Sequence, residues 1–249
     1  MGRRYKRNFL DQVICRVDFP LILRLKKESP VEFQEKIKPL LPKASEAVII
    51  GAKVGEQDPL SVEVREPAPR WEFYTRNLKK KLILQSQFLA LEDHEFASFE
   101  RFEDFCSPAI DALNSIYGPP LFTRLGLRYI NIVELPEGDP LDWDGFFDRR
   151  LTAHLQFEHG CQLIDTLQTI RLRKKHTTTV IRCGLQNPDA PSPVKRRRFV
   201  LDIDCFLKQD FETDDVKAQL LLLNEQAVDI FERSIDDSLR KLMEEGEIG

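Results

Sequence analysis

"TRLGLRYIN", Thr123–Asn131, is the stretch from which the rest of the chain is read. Thr123, Leu125, Leu127 and Tyr129 share one parity, and Arg124, Gly126 and Arg128 share the other. Successive side chains of a strand point to opposite faces, so the alternation predicts one apolar face and one face with a guanidinium on each side of a glycine. The two arginines stand about 13 Å apart along such a strand, with Ile130 and Ile132 further along the same face. Arginine suits a half-covered site, because its planar fork satisfies a carboxylate at two points while its stem packs. In one reading the arginines pair inside the molecule, with Asp202 or Asp204 of "LDIDC" (201–205) as partners, and Gly126 leaves room for a helix or ring to approach. In the other, Arg124, Gly126 and Arg128 line an open groove for a partner's anion, either a phosphate backbone or an acidic peptide.

The flanking segments supply the other elements. "LDQVICRVDFP" (10–20) alternates Val13, Cys15, Val17 and Phe19 against Gln12, Arg16 and Asp18, which predicts a strand. "SPVEFQEKIKPLLP" (29–42) predicts a short helix with Ser29 as N-cap and Pro30 at its first position, ended early by Pro39 and Pro42. "EAVIIGAKV" (46–54) reads as a strand and the Pro-rich 58–69 as a loop or irregular edge. "RWEFYT" and "KKLILQSQFLAL" (80–91) read as two strands of a hairpin across Arg76–Lys79. "EFASFERFEDFCSPAIDALNSIYG" (95–118) is amphipathic at helical spacing and is stopped by Gly118 and Pro119–Pro120.

In the second half, "DPLDWDGFFDRRLTAHLQFEHG" (139–160) predicts a helix. Strands follow over 162–172, 177–185 and 197–207, with "QNPDAPSP" as a loop before the last. A long terminal helix over about 213–244 carries the seam Val216, Leu220, Leu223, Ala227, Ile230, Phe231, Ile235, Leu239 and Leu242. Each half therefore reads β-α-β-β-β-α. The expected fold is α+β: a curved, mainly antiparallel sheet from two pseudo-repeated halves, 1–118 and 119–249, packed on two long helices at 97–117 and 213–244 as one continuous domain. A competing trace merges the first half into an enlarged ferredoxin-like unit with 120–135 as its last strand.

Three passages, "YKRNFLDQVICRVDFP", "SPVEFQEKIKPLLP" with "RWEFYT" downstream, and "FTRLGLRYINIVELP", resemble in order and spacing a sporadically distributed prokaryotic family of uncharacterised proteins of about this length. The resemblance covers most of the first 135 residues and, more loosely, the rest through the order of strands and helices, and it implies no activity and no catalytic residues. Patchy distribution implies a mobile or defence-associated gene set, including accessory genes beside CRISPR systems.

Charge is unevenly spread within a net of −4. "RLRKKHTTTVIR" (171–182) and "KRRR" (195–198) are basic, and the C-terminal segment is acidic. Cations on three neighbouring strands repel unless a counter-charge lies close, which the terminal helix or a nucleic-acid backbone could supply. The set for RNA or single-stranded DNA is Arg171, Arg173, Lys174, Lys175, Lys195, Arg196, Arg197 and Arg198. No aromatic row is interleaved with it for base stacking.

Signals for chemistry are weak. His154 and His159 are five apart, off the i, i+4 spacing of a helical zinc pair. His94 and His176 sit in polar turns. Asp202 and Asp204 share a strand face about 7 Å apart, a spacing that admits an ion or an acid–base pair. The five cysteines form no C-x-x-C pair and fall mostly at core positions, which suits a reducing cytosol. No nucleophile elbow, phosphate-binding loop or dinucleotide fingerprint is present. No apolar run reaches the roughly 20 residues needed to cross a bilayer, and no apolar segment follows the basic start. The expectation is a non-catalytic cytoplasmic interaction or regulatory protein with a protein partner and no cofactor, metal or membrane. RNA or single-stranded DNA binding is the alternative, and an enzyme using Asp202, Asp204 or the His154–His159 region the third.

Overall fold

The computed structural model describes residues 5–49, 52–54, 62–64, 68–157 and 161–245. Strand β1 (Leu10–Asp18) is followed by two short helices, α1 (Arg24–Lys27) and α2 (Val31–Ile37). Then come β2 (Lys43–Ile49), β3 (Ala52–Val54), β4 (Val62–Val64), β5 (Ala68–Tyr74), β6 (Lys80–Gln85), β7 (Phe88–Asp93) and α3 (Phe99–Tyr117). The remaining elements are β8 (Arg124–Leu135), α4 (Arg149–Thr152), β9 (Thr166–Lys174), β10 (Thr177–Leu185), β11 (Arg197–Leu207), α5 (Val216–Ser234) and α6 (Asp237–Glu245). The fold is α+β, with a nine-stranded antiparallel sheet in the order β2-β5-β6-β7-β1-β8-β11-β10-β9; β3 and β4 pair separately.

Contacts divide the described residues into two compact units. One takes residues from 14–125 and 209–216. Its helix α3 starts at Ser98, whose side chain accepts from the Arg101 N–H, and ends at Gly118 in the left-handed conformation that glycine tolerates. Phe102, Phe105, Cys106, Ala109, Ile110 and Leu113 form its buried stripe. Phe33 of α2 packs between Phe73 and Tyr117 at ring separations of 5.9 and 6.4 Å.

The other unit takes residues from 1–13, 126–208 and 217–249. Its core includes a ring cluster in which Phe147 stacks on Phe199 at 4.4 Å and Trp143 lies 5.3 Å from Phe199. Rings buried to this degree are each worth about 3–5 kcal/mol against alanine.

Four local expectations are corrected. The segment 139–160 is not one helix: it turns through 139–147, and among its described residues helix forms only at α4 and a 3-10 turn, Ala153–Gln156. The reason is local. Asp139 and Asp142 accept from the N–H groups two residues on, at Leu141 and Asp144, and so close turns in competition with a helix. The terminal helix is broken at Ile235, which bridges to Phe147, while the Asp148 N–H donates to the Ser234 carbonyl and the Asp236 N–H to the Phe146 carbonyl. Its last turns bury Leu239 and Met243 instead of Leu239 and Leu242. "KKLILQSQFLAL" is two strands, because Ser86–Gln87 turns the chain and their carbonyls accept from Ile22 and Phe19. Helix α2 is capped by Pro30, not Ser29, with no side-chain cap bond. Of the 58–69 loop, Val62–Val64 forms β4 and Ala68 and Pro69 open β5; the rest lies outside the described residues.

Candidate anion-binding surface

In β8 the predicted parity holds: Leu125, Leu127, Asn131, Val133 and Leu135 are buried. Helix α5 lies on this face, where Tyr129 donates to Asn224 Oδ1 at 2.7 Å and Gln226 donates to Thr179 Oγ1 at 2.6 Å. Arg128 occupies the other face. Its Nε donates to Asp202 Oδ1 at 2.7 Å and its Nη2 to Asp202 Oδ2 at 2.7 Å, a two-point pair. Arg182 lies opposite Asp202 in the β10–β11 register and donates to the same Oδ2 at 3.0 Å.

One carboxylate, 3% exposed, therefore holds two half-buried guanidiniums. The hydrogen bonds to Asp202 raise the Arg128 pKa above its ordinary value against the opposing effect of burial, and the charges of Asp202 and Asp204 add to the rise. Arg124 is half-buried at the start of β8 and Gly126 is buried. The internal reading thus describes Arg128. Asp202 is committed to this pair of arginines, and Asp204 on the same strand is half-buried.

The eight cations chosen for nucleic acid do not line one track. Residues 171–175 run into the β9–β10 turn, whereas 195–198 enter β11 beside the opposite end of β10. A nine-residue strand separates them by roughly 27 Å. Arg196 pairs with Asp189 at 3.3 Å and Arg198 with Glu134 at 3.6 Å. Arg197 donates to the Glu137 carbonyl at 3.2 Å and through Nε to the Asp142 carbonyl at 2.9 Å, and lies over the Trp143 and Phe146 rings at 5.3 and 4.9 Å. These counter-charges come from neighbouring loops and β8, not from the terminal helix proposed for that role.

Arg171, Arg173, Lys174 and Lys175 differ. All are exposed, and among the described residues none has a side-chain hydrogen bond or ion pair. Lys195 is exposed as well. Lys175 holds the turn in the left-handed conformation, at φ 54°. The hairpin stays closely paired because Gly184 has no side chain: a Cβ there would meet the Thr166 carbonyl oxygen at 2.0 Å. Strand β9 ends the sheet and exposes Leu167 (64%) and Leu172 (47%) beside the cations.

The other candidates for chemistry are dispersed. His154 is half-buried, and burial lowers its pKa; Glu158 and His159 lie outside the described residues. His94 and His176 are exposed. Among the described residues no group of three or more His, Cys, Asp or Glu side chains is placed to hold a metal ion. Burial pushes the Cys183 and Cys205 thiols up to about 11, and burial beside Cys15 raises Cys106 well above its ordinary value. A thiol so held is protonated and a poor nucleophile. Cys161 is exposed.

Sequence reasoning missed Arg182 as the second arginine on Asp202. Its parity was legible, but the register that sets it opposite Asp202 was not. The edge position of β9 was also missed, since strand order leaves no mark in the strand itself. Comparison with known proteins finds no matching family model, no similar curated protein and no matching solved structure.

Proposed function

We propose that this chain is a non-catalytic interaction module that engages an acidic partner protein through the β9–β10 hairpin. The observation that carries the reading is the contrast between two sets of cations. Arg128, Arg182, Arg196, Arg197 and Arg198 already have partners, and a ligand taking them must displace a bond already made. Arg171, Arg173, Lys174 and Lys175 have none to displace among the described residues. Such a cluster steers an acidic surface and gains from each carboxylate it meets. Support for a non-catalytic role comes from the commitment of Asp202 to two arginines and from thiols held protonated by burial. The separation of the eight cations into two distant groups favours a local protein contact over a nucleic-acid track.

We also propose that the halves derive from one duplicated β-α-β-β-β-α unit. In the sheet the first half runs β1-β7-β6-β5 and the second β8-β11-β10-β9, each with its first strand beside its last and the others counting back. Helices α3 and α5, each 19 residues, follow corresponding strands.

The test is recovery of the protein from cells expressing its neighbouring genes, the context the family resemblance implies. A protein partner that co-purifies at low salt and dissociates as salt rises is the expected result. Recovery of the chain alone, or bound only to RNA, overturns the reading.

A further inference from the structure

We propose that the free edge of β9 takes up an extended segment of the acidic partner as a further strand of the sheet. The proposal rests on the acidic-partner reading above and states how that partner is held.

The backbone supplies the first argument. The loop between β9 and β10 is the two residues 175–176, and Lys174 faces Thr177 in the register. Such a closing pair exchanges ladder hydrogen bonds, and strict alternation then turns the N–H and C=O groups of Leu167, Thr169, Arg171 and Arg173 away from β10. No strand among the described residues lies on that side.

The chain itself supplies a precedent. In the order β1-β7-β6-β5 and β8-β11-β10-β9, strand β5 stands where β9 stands. The outer edge of β5 is covered by β2, which pairs with it antiparallel from Lys43↔Tyr74 to Ile49↔Ala68. The edge of β9 has no such cover among the described residues.

Side chains give the occupant its chemistry. Arg171 and Arg173 stand on one face of the edge, Ile170 and Leu172 on the other. Leu172 lies opposite Thr179, to which Gln226 of α5 donates, and Leu222, one helical turn before Gln226, is 46% exposed on that flank. Over 170–173 an added strand therefore meets cations on one face and aliphatic surface on the other, while Leu167 adds an exposed aliphatic residue to the arginine face and Lys174 a cation to the opposite one. It must alternate acidic and aliphatic residues, as in strand addition elsewhere, where the backbone gives affinity and alternate side chains give specificity. A second copy of the chain does not fit, because it would bring Arg171 and Arg173 against their own kind. Charged residues also guard edges against aggregation, but a guarded edge does not leave Leu172 exposed between Arg171 and Arg173 and Leu167 exposed further along the strand.

The probe is a terminally blocked peptide of alternating glutamate and valine, titrated onto the full chain by fluorescence anisotropy. A second peptide of the same sequence is N-methylated on both strand edges. The variant Thr169→Pro removes one outward N–H without touching the β10 ladder or any charge. Binding of the plain peptide, weakened about tenfold or more both by N-methylation and by Thr169→Pro, is the expected result. If the variant unfolds, the N-methylated peptide decides alone, since it leaves the protein unchanged. Undiminished binding of that peptide overturns strand addition and leaves the acidic partner standing. Failure of the plain peptide to bind overturns both, whether or not single-stranded RNA binds.

Discussion

Arg128 and Asp202, 74 residues apart in sequence, meet through two hydrogen bonds of 2.7 Å on the sheet face that α5 does not cover. Arg182 shares the carboxylate, so Asp202 ties β8 to β10 across its own strand, β11. Removing the carboxylate leaves two guanidiniums half-buried without their counter-ion. Asp202→Ala is expected to destabilise the fold by about 2–4 kcal/mol, the lower part of the range for buried pairs because both arginines keep some access to water. Urea denaturation checks it, and a midpoint within error of wild type would deny the pair its role.

Arginine and lysine are not interchangeable at this site. A lysine in place of Arg128 retains the charge and loses the fork, so Arg128→Lys is expected to cost about 1–2 kcal/mol. Arg196→Lys, at an exposed single-contact pair, is expected to cost less than about 0.5 kcal/mol. Equal losses from the two changes would mean that the two-point geometry contributes nothing.

Gly184 is required by close approach of the β9 backbone. Gly184→Ala places a methyl 2.0 Å from the Thr166 oxygen, and the strand must shift. The expected cost is about 2–3 kcal/mol, with faster amide exchange concentrated in β9. Exchange unchanged in β9 would contradict the packing described.

The buried thiols make a pH-dependent prediction. Cys183 and Cys205 titrate near 11 in the folded chain, above their unfolded value, because burial disfavours the thiolate. Their contribution to stability is intact below the unfolded thiol pKa and is lost as pH rises through that value toward 11. Alkylation near neutral pH is expected to modify Cys161 alone, with Cys15, Cys106, Cys183 and Cys205 reacting only on unfolding. Mass spectrometry of the labelled chain reads this directly, and rapid native labelling of any of the four would refute it.

What the sequence disclosed and what it hid divide along one line. Patterns that repeat within an element were legible. The parity of β1 and β8, the stripe of α3 and most of the α5 seam follow from burial on one face, which the residues themselves record. The pairing of Arg128 with Asp202 was within reach because both parities were visible. Features set by a partner distant in sequence were not legible. The bridge from Phe147 to Ile235 breaks a helix whose apolar spacing runs on without interruption. One local feature was hidden as well: the Asx turns of Asp139 and Asp142, closed by N–H groups only two residues on, overrule the helical look of 139–160. The division of the basic residues into paired and free sets depends on Asp189, Glu134 and the 137–142 loop, none of which announces itself as a partner of "KRRR".

The central claim is that the cations of the hairpin, unpaired among the described residues, and not the paired ones at the other end of β10, form the working surface. Charge reversal in two variants tests it, one carrying Arg171→Glu and Arg173→Glu, the other Arg196→Glu and Arg198→Glu, each titrated with the alternating glutamate–valine peptide at low salt. Loss of binding by about tenfold or more in the first, with binding retained in the second, is the predicted result. Binding retained in the first variant, or lost equally in both, would contradict the account.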